Sequence, residues 1–433
     1  MKFSQLQALE KQLSAFVEQF ASLLGRSERR YWCKLYLTGL LLDGERKSIQ
    51  PLASRLPQGD EQSLQQFVNQ SPWSSVDLQQ QLLRRLCKQF GKQPGVLALD
   101  DTTLPKQGTH SVGVARQYCG ALGKVANCQA LVTWHFTTAQ AVHFPLLGRL
   151  YLPESWTTDA ERLQQAGVPK QHQIFQKKWQ IALDLLDQLP EEVRYEAVVM
   201  DAGYGEVRDF LGELDKRHIT FVAPVPESHA FWPADIAVDD EPKRLGRPRQ
   251  YEMVADAKAQ PRSAKQWRLD LEAGQAKWQR VKLALKKEKT AKVMAVRVRE
   301  TIAEAWRRPG PERWLLIEKR SDGSYVYWVS NAGKKTGIRR MICWGHQRWQ
   351  VEQGYQQMKE ELGLDHFEGR SWRGLHHHLT LCFLAYGFLR LEQARKKSGD
   401  DGASGEKADQ RGVELDKVPA MPARASGAPS PLV

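Results

Sequence analysis

The amino-acid sequence predicts an α/β protein with a mixed sheet and flanking helices, preceded by an all-helical domain and interrupted by a β-rich insertion. Apolar residues recur every three or four positions over residues 1–92, whereas short apolar runs follow from Pro94. Three strand-like runs then come in succession, followed by a helix, a strand, a helix and a strand. Residues 227–332 carry alternating runs and a hairpin signal at Asp322-Gly323.

Composition favours a protein that binds a polyanion. The chain has 433 residues, a net charge of +13 and 41% apolar residues, and a pI of about 9.4. A basic balance of this size favours nucleic acid over a membrane surface. No apolar run approaches the roughly 18 residues of a membrane span, so we expect no membrane partner. The 6 cysteines form no CxxC pair, which is typical of a reducing compartment.

The helical domain, residues 1–92, is predicted to contain an amphipathic first helix, a second helix ending at Gly44, and two more separated by Pro72. Its helices carry basic residues but no clear helix-turn-helix pattern. The domain is therefore predicted either to bind DNA or to act as a scaffold or dimerisation element.

The core begins in residues 93–226. The run GVLALDDTTLP closes on Asp101, and the strand YEAVVM closes on Asp201. A strand order of three, then helix, strand, helix, strand, with an acid after the first and fourth strands, fits an RNase H-like core. The intervening segment is predicted to be a loop. Its basic residues are expected to contact DNA phosphates or to be solvated charges; they are Lys106, Arg116 and Lys124.

The β-rich insertion, residues 227–332, begins with a charged, Pro-rich linker. In it, Gly246-Arg247-Pro248-Arg249 resembles the core of an AT-hook, which can lie in a narrow minor groove. The alternative is a generic basic linker. WRLDLEAG, WQRVKLALKKE and KVMAVRVRE are predicted to be strands. Residues 333–395 return to the core as helices, and residues 396–433 are Gly/Ala/Ser/Pro-rich and predicted to be a disordered tail.

The segment Trp344 to Leu362 is predicted to be one helix that carries Arg348, Glu352 and Lys359 on one face. An acid between two cations suits a phosphate-handling site, although salt-bridged surface helices have the same pattern. The next helix contains three consecutive histidines, His376 to His378. Neighbouring helical residues point about 100° apart, so we expect a helix surface, near DNA phosphates or in plain solvent, and not a metal cluster.

Three carboxylates from distant segments, Asp101, Asp201 and Glu352, can together hold two divalent cations. Hard oxygen ligands suit Mg²⁺ or Mn²⁺. Two such ions activate an attacking oxygen and stabilise the leaving oxygen of a phosphodiester. An Asp after a strand is usually a turn former or helix cap, so the prediction depends on all three acids occurring in this order.

Four long stretches carry a family resemblance over most of residues 95–390: LALDDTTLPKQGTHSVGVARQYCGALGKVANCQ, GRLYLPESW, VVMDAGYG, and RWQVEQGYQQMKEELGLDHFEGRSWRGLHHHLTLC. On these stretches the chain resembles bacterial insertion-sequence transposases of the DDE class, in the IS4-like superfamily and closest to the IS701-type group. The family signature Y-x2-R-x3-E-x6-K is matched at Arg348, Glu352 and Lys359.

The signature tyrosine is Gly345 in this chain, and either His346 or Tyr355 could take its place. The resemblance implies an RNase H-like fold with an Asp, Asp, Glu triad. The residues alone leave Asp100 and Asp101 as alternatives for the first acid. The family places its first acid directly before the Thr pair, which selects Asp101, and Asp100 should point to the other face of the strand.

The resemblance further implies Asp201 and Glu352 as the second and third acids, with two Mg²⁺ or Mn²⁺ ions at the triad. It implies cleavage of transposon ends and attack of their 3′-hydroxyls on target DNA, with Arg348 and Lys359 on phosphates. The implied partners are double-stranded DNA and further copies of the chain, as a homodimer or larger synaptic complex, in the bacterial cytoplasm near the nucleoid. Alternatives are a catalytically silent DNA-binding relative and a nuclease without strand transfer.

Overall fold

The computed structural model describes residues 3–239, 252–283, 290–302 and 307–400. The N-terminal segment is helical, but it contains six helices where four were expected. Two of them begin at side-chain caps: Asp60 accepts from the Ser63 amide at 2.7 Å, and Ser74 accepts from the Asp77 amide at 3.2 Å. The helices are α1 (Phe3–Glu18), α2 (Ala21–Leu24), α3 (Ser27–Leu41), α4 (Ile49–Ser54), α5 (Glu61–Asn69) and α6 (Ser75–Phe90).

Four antiparallel strands follow: β1 (Gly95–Pro105), β2 (Ala115–Cys119), β3 (Lys124–Thr138) and β4 (His143–Tyr151). β3 pairs with β1 along all of β1, and with β2 and β4. Two expectations were wrong here. The segment between the first two predicted strands is not all loop, because β2 and the start of β3 form a hairpin within it. Asp101 does not close a strand, because β3 keeps β1 paired as far as Pro105.

The chain then crosses to the other side of β1. The elements are α7 (Glu154–Thr157), α8 (Ala160–Gln165), α9 (Lys178–Leu186), β5 (Val198–Val199), α10 (Ala202–Gly205), α11 (Arg208–Lys216) and β6 (Phe221–Val225). β5 runs parallel to β1, and β6 runs parallel to β5. The strand order through this part of the sheet is therefore β4-β3-β1-β5-β6.

The β-rich segment continues the same sheet. β14 pairs antiparallel with β6, and β13, β12 and β7 follow in turn. The hairpin turn lies between β13 and β14 as predicted, but WRLDLEAG lies in a helix. The elements are β7 (Ala230–Pro233), β8 (Val238–Asp239), β9 (Met253–Val254), β10 (Arg262–Ser263), α12 (Ala264–Ala273), β11 (Gln279–Lys282), β12 (Thr290–Thr301), β13 (Pro309–Lys319) and β14 (Tyr325–Ser330).

Three helices complete the described chain: α13 (Ile338–His346), α14 (Trp349–Glu360) and α15 (Trp372–Asp400). The single helix predicted over Trp344 to Leu362 is wrong, since a turn at Gln347 and Arg348 separates α13 from α14. Helix α15 also continues past the predicted start of the tail at residue 396. The remaining tail, residues 401–433, and the AT-hook-like segment with Arg247 and Arg249 lie outside the described residues.

Helix α15 joins the N-terminal helices to the sheet, because it packs on α3, α5, α6 and β4. The three histidines are buried in this junction, so the expectation of a helix surface is wrong. Each ring reaches a different neighbour: His376 accepts from the Leu150 amide at 3.3 Å, His377 stacks on Trp73, and His378 lies 2.9 Å from the Tyr36 hydroxyl. Although α15 has 29 residues, no described helix is long and apolar enough to cross a membrane.

Helix α14 is bound to the sheet through a buried hydrogen-bonded network. Tyr355 bonds the Thr133 hydroxyl, and Gln350 donates to Thr138 O at 2.8 Å. The network continues through two imidazoles, with His135 Nε2 at 2.6 Å from Thr133 and His135 Nδ1 at 3.0 Å from His143. His143 Nδ1 lies 2.9 Å from the hydroxyl of Tyr386 on α15. Polar groups bonded at both ends fix the position of α14 on the sheet.

We expect the His376 environment to make the protein sensitive to acid. Burial lowers the pKa of His376 to about 3, against about 6.5 in an unfolded chain. Between these values only the unfolded state binds the proton, so stability falls as the pH falls below 6.5. Between pH 7 and pH 5, the free energy of unfolding measured in urea should fall by about 2 kcal/mol less in His376→Gln than in the parent. Exposed His110 provides the control, since His110→Gln should match the parent; an equal loss in all three proteins would contradict the prediction.

We also expect Gly354→Ala to destabilise the protein. A Cβ at Gly354 would lie 1.9 Å from Cε1 of His143, a ring that its two hydrogen bonds hold in place. Overpacking of this kind lowers the free energy of unfolding by about 1–3 kcal/mol. Gly212 in α11 is the matched control, because nothing lies within 4 Å of its added Cβ, and Gly212→Ala should raise stability by up to about 1 kcal/mol. Chemical denaturation of both variants distinguishes the effects, and equal stabilities would contradict this account.

Candidate active site

The two neighbouring aspartates of β1 point to opposite faces of the sheet. Asp100 pairs with Thr133, whose hydroxyl bonds Tyr355 of α14. The next residue of β3, Trp134, faces the other way and donates to Ala182 O of α9 at 2.8 Å. Since paired residues share a face, Asp100 faces α14 and Asp101 faces α9, as strand alternation predicts.

Arg348 joins Asp100 to Glu352. Its Nη1 lies 3.0 Å from Asp100 Oδ2, and its Nη2 lies 2.8 Å from Glu352 Oε1. The i,i+4 spacing expected for one helix survives the break before α14, because the turn keeps Arg348 in helical backbone geometry. The Asp100 side chain is 12% exposed and that of Glu352 is 64% exposed. The third acid therefore lies at the solvent edge of the cluster.

Asp101 is paired with Lys178, a residue that sequence reasoning missed. Lys178 Nζ lies 2.8 Å from Asp101 Oδ2, and Lys178 is the first residue of α9. A cation at a helix N-terminus opposes the helix dipole. This unfavourable position at the start of the helix is the signal in the sequence that could have identified Lys178.

Asp201 is placed by β5 and by the short helix after it. The register pairs Leu97 with Val198 and Ala98 with Val199, so two further residues bring Asp201 level with the aspartates of β1. Asp201 caps α10 by accepting from the Tyr204 amide at 3.1 Å. Here the sequence prediction that an acid follows the strand is confirmed.

Burial and mutual repulsion make these carboxyl groups difficult to ionise. Burial raises the pKa of Asp100 to about 8, although Arg348 opposes the shift. Burial, followed by the charge of Asp101, raises the pKa of Asp201. A nearby cation would therefore stabilise the ionised form of these carboxylates.

The Tyr204 hydroxyl lies within the same field. The side chain is buried, and its oxygen has no hydrogen-bond partner among the described residues. Burial, followed by the charges of Asp101, Asp201 and Asp100, raises the pKa of Tyr204 well above its usual value. An unpartnered buried hydroxyl beside carboxylates can still form a hydrogen bond with a further group.

The donor set fits a divalent cation in its chemistry. Asp101, Asp201 and Glu352 supply hard carboxylate oxygens, which Mg²⁺ and Mn²⁺ prefer, and the unpartnered Tyr204 hydroxyl adds a polar group. In the described part of the chain, no group of three or more such ligands already converges on one point. Asp101 and Glu352 are instead paired with Lys178 and Arg348.

The cations predicted to contact DNA occupy different surroundings. Lys359 Nζ donates to Thr103 O at 3.0 Å, so it reaches β1 beside the aspartates. Lys106 Nζ donates to Phe367 O at 2.5 Å, and burial lowers the pKa of Lys106 to about 8. Arg116 and Lys124 are exposed on the β2–β3 hairpin. The structure thus brings Arg348 to Asp100 and Glu352, whereas Lys359 and Lys106 each bond a backbone carbonyl.

The structure explains glycine at the signature tyrosine position. A Cβ at Gly345 would lie 2.9 Å from the Trp328 ring, which fills that space. Neither proposed substitute is free: His346 Nε2 lies 2.9 Å from Glu318, and Tyr355 is buried under β1 with its hydroxyl 3.4 Å from Asp100 O.

Comparisons with known proteins identify a family for this chain. A family model described as "DDE superfamily endonuclease" matches residues 19–290, a span that holds Asp101 and Asp201 but not Glu352. A protein of Microchaete diplosiphon named "Probable transposase for insertion sequence element IS701" is 29% identical over 193 residues, which are 44% of this chain and 47% of that protein. The chain thus spans about half the length of this curated relative.

Two solved structures align more loosely. A cryo-EM structure of the piggyBac transposase synaptic complex with hairpin DNA has 10% identity and a TM-score of 0.39, over 90% of this chain and 74% of that one. The NurA nuclease from Sulfolobus solfataricus has 8% identity and a TM-score of 0.25, over 71% and 84%. Scores of this size do not establish a common fold. The family match, by contrast, covers more than half of the chain, and the protein belongs to the DDE superfamily endonucleases.

Proposed function

We propose that this protein is a metal-dependent DNA transposase that cleaves the ends of an insertion sequence and transfers their 3′-hydroxyls into target DNA. The observation that carries the proposal is that two acids from distant segments, Asp101 and Asp201, lie close enough for the charge of Asp101 to add to the effect of burial and raise the pKa of Asp201. Asp101 lies in β1, and Asp201 follows β5, the strand that pairs with β1. Helix α14, which carries Glu352, packs on β4, β1 and β3, on the face of the sheet where Asp100 lies.

The sheet supports an RNase H-like core for this site. Its five central strands run in the order β4-β3-β1-β5-β6, with the first three antiparallel and the last two parallel to β1. Helix α9 lies between β4 and β5 in the chain, and α11 between β5 and β6. This is the succession that the sequence predicted, and the strands of the β-rich segment extend it beyond β6.

Asp101 is the stronger choice for the first acid. The family places its first acid directly before the Thr pair, and, after burial, the charge of Asp101 is the one from β1 that raises the pKa of Asp201. Asp100 is instead bridged to Glu352 through Arg348. We therefore assign Asp101, Asp201 and Glu352 as the residues that hold Mg²⁺ or Mn²⁺, two ions per site. When bound, the ions supply activation of the attacking oxygen and stabilisation of the leaving oxygen.

The cations of α14 suit phosphate binding on either side of the scissile bond. Arg348 presents a planar guanidinium that can grip two phosphate oxygens, and Lys359 supplies a point charge. Both side chains reach β1, at Asp100 and at Thr103. They therefore lie on the face of β1 that α14 covers, where Asp100 positions Arg348.

Double-stranded DNA is the proposed partner, as element ends and as target, in the bacterial cytoplasm near the nucleoid. The net charge of +13 supports it, with exposed Arg116 and Lys124 as further phosphate contacts. Lys106, Arg247 and Arg249 remain proposed contacts from the sequence. Cutting and joining two ends requires two active sites, which favours a homodimer or larger assembly. A nuclease without strand transfer is the alternative, and a joining assay separates the two.

We expect loss of any triad acid to abolish cleavage while DNA binding persists. Asp101→Asn, Asp201→Asn and Glu352→Gln should each reduce Mg²⁺-dependent cleavage of DNA carrying the element ends by about 10³-fold or more. Gel shifts should show end binding largely unchanged. Exposed Glu360, eight residues along the same helix, is the matched control, and Glu360→Gln should cleave as the parent does. Parent-like cleavage by Glu352→Gln would remove the third acid from the site.

The roles of the two neighbouring aspartates can be separated. Because Asp100 positions Arg348 and does not hold an ion in this proposal, Asp100→Asn should cost less activity than Asp101→Asn, about 10–100-fold. Its loss should include weaker DNA binding, since the guanidinium loses its anchor. Cleavage rates at saturating and limiting DNA measure both effects. A greater loss in Asp100→Asn, with DNA binding unchanged, would exchange the two assignments.

A further inference from the structure

We propose that Lys178 is the counter-ion of Asp101 and stays paired with this first acid until a divalent cation displaces it. The pair thereby sets the concentration of divalent cation that the site requires. This inference rests on the proposed function. Lys178 would be a positioning residue, acting through Asp101.

The contact is direct and partly shielded. Lys178 Nζ lies 2.8 Å from Asp101 Oδ2, with side-chain exposures of 35% and 21%. The ammonium also lies 5.7 Å from the centre of the Tyr151 ring. An ion pair held between a strand and a helix is screened less than one at the open surface.

The packing of helix α9 fixes the backbone position of Lys178. Helix α9 packs on β3 and β4, and Trp134 Nε1 donates to Ala182 O within it at 2.8 Å. The Gln180 side chain accepts from the Lys177 amide at 2.8 Å and closes the first turn. The fold therefore places the side chain of Lys178 beside Asp101, although the helix dipole is unfavourable for a cation at that end of the helix.

The pair competes with a metal ion for the same oxygen. A hard cation would bind Asp101 where the ammonium now lies, and nearby Asp201 has no comparable side-chain cation bonded to it among the described residues. The flexible four-carbon stem of lysine allows the ammonium to swing away. Glu352 is likewise paired with Arg348, so the site holds internal cations on two of its three acids.

The experiment measures Mn²⁺ binding to the full chain without DNA, by calorimetry and by the electron paramagnetic resonance of free Mn²⁺. Lys178→Met should lower the Mn²⁺ dissociation constant about fivefold or more, because the competing cation is gone. Lys178→Arg keeps the charge and should stay close to the parent. Exposed Lys177 is the matched control: Lys177→Met removes the same charge one residue away and should change the constant less than twofold.

Asp101→Asn separates this inference from the proposed function. If Asp101→Asn binds Mn²⁺ as the parent does, the assignment of Asp101 to the metal site is wrong. If Asp101→Asn loses binding while Lys178→Met matches the parent or binds more weakly, only the role of Lys178 is overturned. An equal gain in Lys177→Met would reduce the effect to general charge and would also overturn it. Circular dichroism checks folding, and Lys178→Gln replaces Lys178→Met should the latter unfold.

Discussion

Carboxyl groups that share a buried junction repel one another and lose hydration, and the rest of this structure is arranged around that constraint. Asp100, Asp101 and Asp201 stand together where β1 meets β5, and burial raises the pKa of Asp100 and Asp201. Arg348 and Lys178 neutralise the cluster from opposite faces of the sheet. In the proposed function, metal ions and phosphates would take the place of these internal cations.

The supporting elements hold these cations in place. Helix α14 is fixed to β3 through Tyr355 and the His135–His143 pair, all of them buried, so Arg348 cannot drift from Asp100. Helix α15 in turn contacts the N-terminal helices and β4. The helical segment therefore shares a core with the sheet and does not stand apart as a separate unit. The β-rich segment likewise joins the sheet edge to edge through β14 and β6.

Errors in the sequence prediction fall where tertiary contacts override local pattern. WRLDLEAG alternates like a strand but forms α12, whose first residue is buried and whose start is capped by Ser263. Asp100 and Asp101 read as a strand end, yet β3 is long enough to keep β1 paired beyond them. The histidines of α15 read as polar surface, and each finds a buried partner on a different element. For the aspartates of β1 and the histidines of α15, the deciding partner is distant in the chain.

The sequence by itself determined the succession of strands and helices from β3 to β6 and the spacing of Arg348, Glu352 and Lys359, because apolar periodicity and helical geometry act over a few residues. Only the tertiary structure decided that Lys178 pairs with Asp101, that Arg348 bridges Asp100 to Glu352, and that Trp328 fills the space at Gly345. These are contacts through space between segments tens to hundreds of residues apart. No local pattern encodes them, since they exist only after the sheet and its helices have packed.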